Sequence, residues 1–179
     1  MKIRIEEIRQ KPRVLTAVEP AESYPPLVEM QEAGDCFFLS PLTVTLDVAW
    51  EYGHVRVQGN IVSRIRLNCS RCLAEIERPL ESTFTVFYTK AVPDLPADDE
   101  VELGESDLIS TSYEGDEIDF APEIAEQVML EVPLKPLCRE ECLGLCSKCG
   151  QDLNVSECGC DRRSPTLKFS ALKDFKVEK

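Results

Sequence analysis

The sequence predicts an α+β fold: an antiparallel β-sheet or partial barrel, one or two short helices, and a cysteine-rich zinc-binding C-terminal segment. Three observations predict it. Residues 42 to 89 alternate apolar and polar side chains with a period of two. Helical spacing is confined to short stretches after residues 119 and 164. Six of the nine cysteines crowd between Cys138 and Cys160. A chain of 179 residues with 43% apolar content is long enough to bury one core with an appendage. The expected organisation is an antiparallel β domain over 1–93 that carries a first cysteine knuckle, and an acidic flexible loop over 94–118. A helix, the cysteine-rich segment and a last helix over 119–179 pack on the same domain.

In order, Lys2 to Ile8 reads as a first strand, with Ile3 and Ile5 on one side and Arg4 and Glu6 on the other. Pro12, Pro20, Pro25 and Pro26 then break any long element up to Asp35, leaving loop with a short turn. Cys36, ahead of Phe37-Phe38-Leu39, reads as a small buried hydrophobe. Leu42, Val44, Leu46 and Val48 alternate with Thr43, Thr45, Asp47 and Ala49, a strand that ends near Gly53. The clearest strand follows: Val55, Val57, Gly59, Ile61, Ile65 and Leu67 on one face, His54, Arg56, Gln58, Asn60, Arg64 and Arg66 on the other. Val62 and Ser63 break the pattern, and Gly59-Asn60 reads as a bulge or bend. His54 reads as a surface residue of that strand. Ala74 to Leu80 and Ser82 to Thr89 return as β structure, so Cys69-Ser70-Arg71-Cys72 falls at a hairpin tip. Residues 91 to 118 read as an acidic loop. Asp119 can cap a helix with the stripe Phe120, Ile124 and Val128, stopped by Pro133, with Glu123, Glu126 and Glu131 on its solvated side. Ser164 and Pro165 start a last helix whose Leu167, Ala171, Leu172 and Phe175 face inward.

The cysteines carry the chemistry. Cys146-Ser147-Lys148-Cys149 and Cys158-Gly159-Cys160 are joined by an eight-residue loop that can bring both pairs to one point, the outline of a four-thiolate site. Gly150 suits a metal knuckle because it tolerates positive φ. Cys138 and Cys142, four apart, share a face in a helical turn and need two more thiols, which Cys69 and Cys72 supply. Eight thiols make two sites, and Cys36 is left over. An odd count and the closeness of Cys158 to Cys160 argue against disulfides, and no βαβ context supports a thioredoxin-like motif. Thiolate spacing leaves iron beside zinc. Two structural Zn²⁺ ions are expected. A closed four-thiolate shell has no open position for a substrate, so it stabilises a fold. Structural zinc contributes on the order of 10–16 kcal/mol in small peptides, against about 5–15 kcal/mol for a whole domain.

The net charge of −13 is unevenly placed. Residues 94 to 131 hold fourteen Asp and Glu and no Lys or Arg, so they carry −14; the rest, with 20 basic and 19 acidic residues, is +1. Overall acidity therefore does not exclude nucleic acid. No apolar run is long enough to span a bilayer and the N-terminal MKIRIEEIRQ is charged throughout, so a soluble, cytoplasmic protein is expected. The sequence shows no Gly-rich phosphate loop, Gly-x-Ser-x-Gly elbow or His-rich site, so no catalytic residue and no small-molecule substrate are expected.

Asn68-Cys69-Ser70-Arg71-Cys72-Leu73, the acidic loop, Asp116-Glu117-Ile118-Asp119, and Leu137-Cys138 through Leu145-Cys146-Ser147-Lys148-Cys149-Gly150-Gln151-Asp152-Leu153-Asn154 to Cys158-Gly159-Cys160 resemble the bacterial YceD family of large ribosomal RNA subunit accumulation proteins. The resemblance runs from about residue 40 to the Leu167–Leu172 helix. One departure is Asp161-Arg162-Arg163-Ser164-Pro165, where relatives commonly begin the last helix with an Asp-Pro-Arg-Trp-like run. The resemblance implies a non-enzymatic factor in production or accumulation of 23S rRNA, with rRNA or ribosome-assembly and RNA-processing proteins as partners. Two expectations follow. RNA phosphates would be met by Arg56, Arg64, Arg66, Arg71 and Arg78 around the sheet and by Arg162, Arg163, Lys168 and Lys173 near the last helix, giving steeply salt-dependent binding. A solvated face, or screening of thiolates, accounts for the same charges. Alternatively, the acidic limb 94–131 docks a basic protein.

Overall fold

The computed structural model describes residues 1–91 and 110–161. In chain order its elements are β1 (Lys2–Arg4), α1 (Ile5–Gln10), β2 (Arg13–Glu19), a 3-10 turn (Ala21–Ser23), α2 (Pro25–Ala33), β3 (Phe37–Phe38), β4 (Leu42–Glu51), β5 (His54–Asn68), β6 (Glu75–Lys90), β7 (Ser110–Tyr113), β8 (Glu117–Asp119) and α3 (Ala121–Glu131). One sheet runs in the order β2-β4-β5-β6-β7, with β3 beside the distal part of β5, and β1 and β8 form a separate two-stranded sheet. All pairings are antiparallel except β6 with β7, which is parallel. The strand path among the described residues stays open, so the sheet is mixed and does not close into a barrel.

Alternation sets the two faces. Val55, Val57, Gly59, Ile61, Ile65 and Leu67 are buried against α1, α2 and α3, whereas the even positions of β5 face outward. Leu42, Val44, Leu46 and Val48 of β4 lie on the same inner face, which Ile8, Tyr24, Leu27, Phe120, Ile124 and Val128 cover. Ser63 keeps the alternation: it points inward, and its hydroxyl donates to the Ser40 carbonyl at 2.9 Å, which meets the requirement that a buried polar group be bonded. Gly59 is no bulge. β5 runs unbroken, and a Cβ at Gly59 would stand 2.1 Å from Cζ of its cross-strand partner Phe84. The glycine makes room for a ring laid across the sheet.

Several expectations change. The strand read over Lys2 to Ile8 is β1 followed by α1, because Ile5 and Ile8 sit one helical turn apart and are both buried. The proline-rich stretch holds β2 and α2; Pro25 and Pro26 occupy the first turn of α2, where a missing N–H costs nothing, and Gly34 closes it at φ 79°. With α3 that makes three short helices among the described residues, where one or two were expected for the chain. Of the stretch expected as an acidic loop, 94–109 lies outside the described residues, and 110–118 holds β7 and the start of β8, paired with β6 and β1. The N-cap of α3 is Phe120, one residue after the expected Asp119, whose Oδ1 accepts the Ala121 N–H at 3.0 Å from just outside the helix. Glu123 is buried, contrary to its expected place on the solvated side. The last helix after Ser164 lies outside the described residues. Among those described, no helix is long and apolar enough to cross a membrane.

Candidate metal centres

The β5–β6 hairpin ends in the turn Cys69-Ser70-Arg71-Cys72-Leu73. Cys69 N–H bonds Ala74 O at 2.8 Å, and Leu73 N–H returns to Cys69 O at 2.9 Å with Leu73 at φ 62°. The second C-x-x-C repeats the fold: Gly150 N–H donates to Cys146 O at 2.9 Å with φ 73°. Glycine takes this left-handed conformation freely, while leucine takes it under strain. In both, the turn leaves N–H groups directed at the first cysteine, as Arg71 N–H does toward Cys69 Sγ at 3.4 Å.

The structure brings the eight cysteines together in the two expected quartets. The sulfurs of Cys69, Cys72, Cys138 and Cys142 all lie within 4.8 Å of one another, as do those of Cys146, Cys149, Cys158 and Cys160. Cys69 Sγ stands 3.8 Å from Cys142 Sγ and Cys72 Sγ 3.7 Å from Cys138 Sγ. Bonds of about 2.3 Å at a tetrahedral angle would separate two sulfurs by about 3.8 Å, so the donor set fits a metal ion of that size. None of the nine cysteines forms a disulfide, and Cys36 is fully buried, its thiol pushed up to about 11 by burial and by Asp35.

Protonation tells the same story about the donors. The backbone N–H groups of Cys72, Cys138 and Arg71 pull the Cys69 thiol down to about 6 against the effect of burial. Those of Cys149 and Lys148 do the same for Cys146, also to about 6. Burial and the other three thiols push Cys138 up to about 12; contact with Cys149, then burial, raises Cys160 to about 12. Each quartet thus readily supports one negative sulfur and resists the next, the crowding that a central cation relieves.

Hydrogen bonds weld the first quartet to the tail. Ser70 N–H donates to Pro136 O at 2.8 Å, Leu145 N–H to Arg71 O at 2.9 Å, and Arg71 Nη1 to the carbonyls of Cys142 and Glu140 at 2.8 and 3.3 Å. Gly144 is required where it stands: at φ 74°, its Cβ would meet Arg71 O at 2.9 Å. Asn154 links the quartets. It lies in the loop of the second but donates to Cys142 Sγ of the first at 3.5 Å, while its Oδ1 accepts from Leu143 N and Arg139 Nη2, both at 2.9 Å. Sequence reasoning missed Asn154 and Gly144, because a polar residue and a glycine in a cysteine-rich loop carry no spacing signal of their own.

The five sheet-side arginines do not form one patch. Arg56 forks onto Glu51 at 2.9 and 3.0 Å, Arg64 meets Glu77 at 3.0 Å and Arg66 meets Glu75 at 3.6 Å. Arg71 is the strap just described. Arg78, opposite inward-facing Ile65, lies on the other face of the hairpin from Arg64 and Arg66. Arg162, Arg163, Lys168 and Lys173 lie outside the described residues.

The sequence profile of the family described as large ribosomal RNA subunit accumulation protein YceD matches residues 57–176. Large ribosomal RNA subunit accumulation protein YCED homolog 1, chloroplastic, of Arabidopsis thaliana is 25% identical over 161 residues, 78% of this chain and 50% of that one. The protein of the same description from Zea mays is 28% identical over 151 residues, 70% of this chain and 50% of its own. An uncharacterized protein of Mycobacterium tuberculosis is 31% identical over 99 residues, 55% of this chain and 45% of that protein. The chain spans about half the length of the curated relatives it matches. No solved structure matches it.

Proposed function

We propose, from the premise that this chain belongs to the YceD family, that it is a non-enzymatic factor supporting accumulation of large-subunit ribosomal RNA, acting in the cytoplasm. One observation carries this: the family match begins in β5 and takes in the hairpin tip and both cysteine quartets, so the matched region is the assembled unit. Two structural Zn²⁺ ions would be held by Cys69, Cys72, Cys138 and Cys142 and by Cys146, Cys149, Cys158 and Cys160. When bound, the ion supplies charge neutralisation and a fixed tetrahedral node. Arg71, Gly144 and Asn154 position the thiols, and every donor position around each quartet is filled by sulfur, which favours scaffolding over catalysis.

Of the two ways to act on rRNA accumulation, docking an assembly or processing protein fits the described surface better than gripping phosphates. Arg56, Arg64 and Arg66 already face carboxylates, so phosphate binding there would first break three ion pairs. Deleting the gene and measuring 23S against 16S rRNA tests the role. A fall in 23S, restored by the wild-type gene, is expected; an unchanged ratio would end it. Filter binding of the metal-loaded protein to large-subunit rRNA fragments across a salt series tests the route, and a steep salt dependence would return the phosphate contacts to first place.

A further inference from the structure

At the end of the β5–β6 hairpin remote from Cys69, Tyr88 of β6, the strands β7 and β8 and the start of α3 enclose a cleft of about 330 Å³. Glu114, Glu117, Asp119, Glu123 and Glu126 line it, and among the described residues no lysine or arginine does. Lys2 reaches Glu117 and Asp119 at 3.4 and 3.7 Å. Glu114, Glu123 and Glu126 are left without a cation among the described residues.

Acidic rims are common on protein surfaces, and two further facts distinguish this one. Glu123 is only 9% exposed, and its one bonded oxygen, Oε1, accepts from the neutral amide of Gln127 at 2.8 Å. A carboxyl group that deeply placed ordinarily has a cationic partner. Tyr88 is 4% exposed and lines the same cleft, and its hydroxyl has no hydrogen-bond partner among the described residues. Its ring is fixed edge-on against Phe120, centroids 5.8 Å apart at 73°. Burial, then the fields of Glu123, Asp119 and Glu126, hold the phenol far above the usual tyrosine range, which puts its oxygen beside those carboxylates.

A bare metal ion does not suit the cleft. Among the described residues, only the two cysteine quartets bring three or more ligand atoms within 4.8 Å of one another. No three of the described carboxylates come close enough to share one ion, whereas an extended organic cation can reach separated acceptors. A guanidinium is planar and carries five N–H donors, which suits a lining that offers several separate acceptors, as Glu123, Tyr88 and Glu126 do here. Thr111, Ser112 and Tyr113 form one wall, and their strand lies at the end of the sheet order, so backbone and hydroxyl groups stand beside the place where a side chain would enter.

We propose that this cleft receives an arginine side chain presented by a basic protein segment. It rests on the protein-docking route above and deepens it by naming the group that is recognised and the residues that recognise it.

Fluorescence anisotropy with the metal-loaded full chain tests it, using a labelled peptide of four Gly-Arg repeats. The same peptide with citrulline for arginine, which keeps the shape and loses the charge, and spermine as a competitor complete the set. The arginine peptide should saturate one site, with citrulline at least about tenfold weaker. Tyr88→Phe should weaken binding about three- to tenfold and Glu123→Gln about tenfold. Because those two side chains are buried, Glu126→Gln, on the exposed side of α3, provides a variant that keeps its fold, with a loss of about threefold. Equal affinity of wild type and the Glu126→Gln and Tyr88→Phe variants would overturn the proposal, as would equal binding of the citrulline peptide. Spermine that binds as tightly as the peptide, with the same losses in the variants, would overturn the protein partner. The rRNA measurement above is independent: an unchanged 23S ratio removes the cellular role and leaves this binding result standing, and the reverse holds.

Discussion

The two cysteine quartets share one ligand chemistry and do different structural work. In the first, the paired sulfurs come from residues 73 and 66 positions apart, Cys69 with Cys142 and Cys72 with Cys138, and Cys69 and Cys142 are buried. In the second, all four lie between residues 146 and 160, Cys149 is exposed and none comes from the sheet. Closing a loop costs about (3/2)RT ln n in entropy, so the first quartet ties off a long excursion of chain and the second only its own turn. On the hairpin side the bonds follow the same division: Ser70 and Arg71, between Cys69 and Cys72 of the first quartet, hold the tail at Pro136, Cys142 and Leu145. One quartet is a joint between parts; the other is a fold in its own right that hangs from the joint.

The largest test removes the metal from both. A strong chelator should strip amide-exchange protection from residues 138–160, since binding of on the order of 10–16 kcal/mol is then lost from a segment with little core of its own. The central residues of β4 and β5 should stay protected, because their burial owes nothing to sulfur. Native mass spectrometry with elemental analysis should give two zinc ions per chain before treatment. Protection of 138–160 that survives chelation would make the quartets incidental.

Single thiols should then separate the joint from the hanging fold. Cys69→Ser should lose one ion and cost more than about 4 kcal/mol, the range associated with loss of a metal site. It should also open the segment between residues 130 and 145 to proteolysis. Cys149→Ser should lose the other ion and leave that segment protected. If both variants release the same fragments, the joint is no joint. Asn154→Ala sharpens the comparison from the other side: its loss should weaken metal at the first quartet about 10–100-fold although the residue sits in the loop of the second. A competition titration against a chromophoric chelator would read this, and two unchanged isotherms would show the quartets to be independent.

Glycines divide the two regions in the same way. Gly144→Ala and Gly150→Ala impose the same left-handed strain, at φ 74° and 73°, about 1 kcal/mol each. Only Gly144→Ala also drives a methyl to 2.9 Å from Arg71 O, so its melting temperature should fall by several degrees more. Equal shifts would mean that the strap yields.

What the sequence revealed follows from where each constraint resides. The alternation in β4 and β5 and the sorting of eight thiols into two quartets were legible, because strand period and ligand number are local or arithmetic facts. α1 was not, since Ile3, Ile5 and Ile8 suit a strand start and a helical turn alike. α2 was hidden by Pro25 and Pro26, which read as breakers and act as a first turn. β7, with the sequence Ser110-Thr111-Ser112-Tyr113, has no apolar rhythm and exists because β6 offers it partners. The ion pairs that occupy Arg64 and Arg66 depend on diagonal register across the hairpin, Glu77 and Glu75 lying two positions from the directly opposed residues. The burial of Glu123 depends on how α3 meets the sheet. No periodicity reports either one.

The smallest effect belongs to the sheet alone and sets the acid baseline against which loss of the quartets is measured. Arg56, hydrogen-bonded to Glu51, holds the Glu51 carboxyl below the ordinary carboxylate range. A lowered value in the folded state means a contribution that is complete above the unfolded value, about 4.3, and disappears as pH falls through the folded one. Glu51→Gln should therefore lower the melting temperature slightly at neutral pH, with the difference from wild type closing below about pH 4. Metal release should instead begin at higher pH in both proteins alike, because protons compete for thiolates whatever the state of Glu51. A Glu51→Gln variant that shifted the pH of metal release would show the sheet end and the cysteine joint to be coupled, against the division drawn between them.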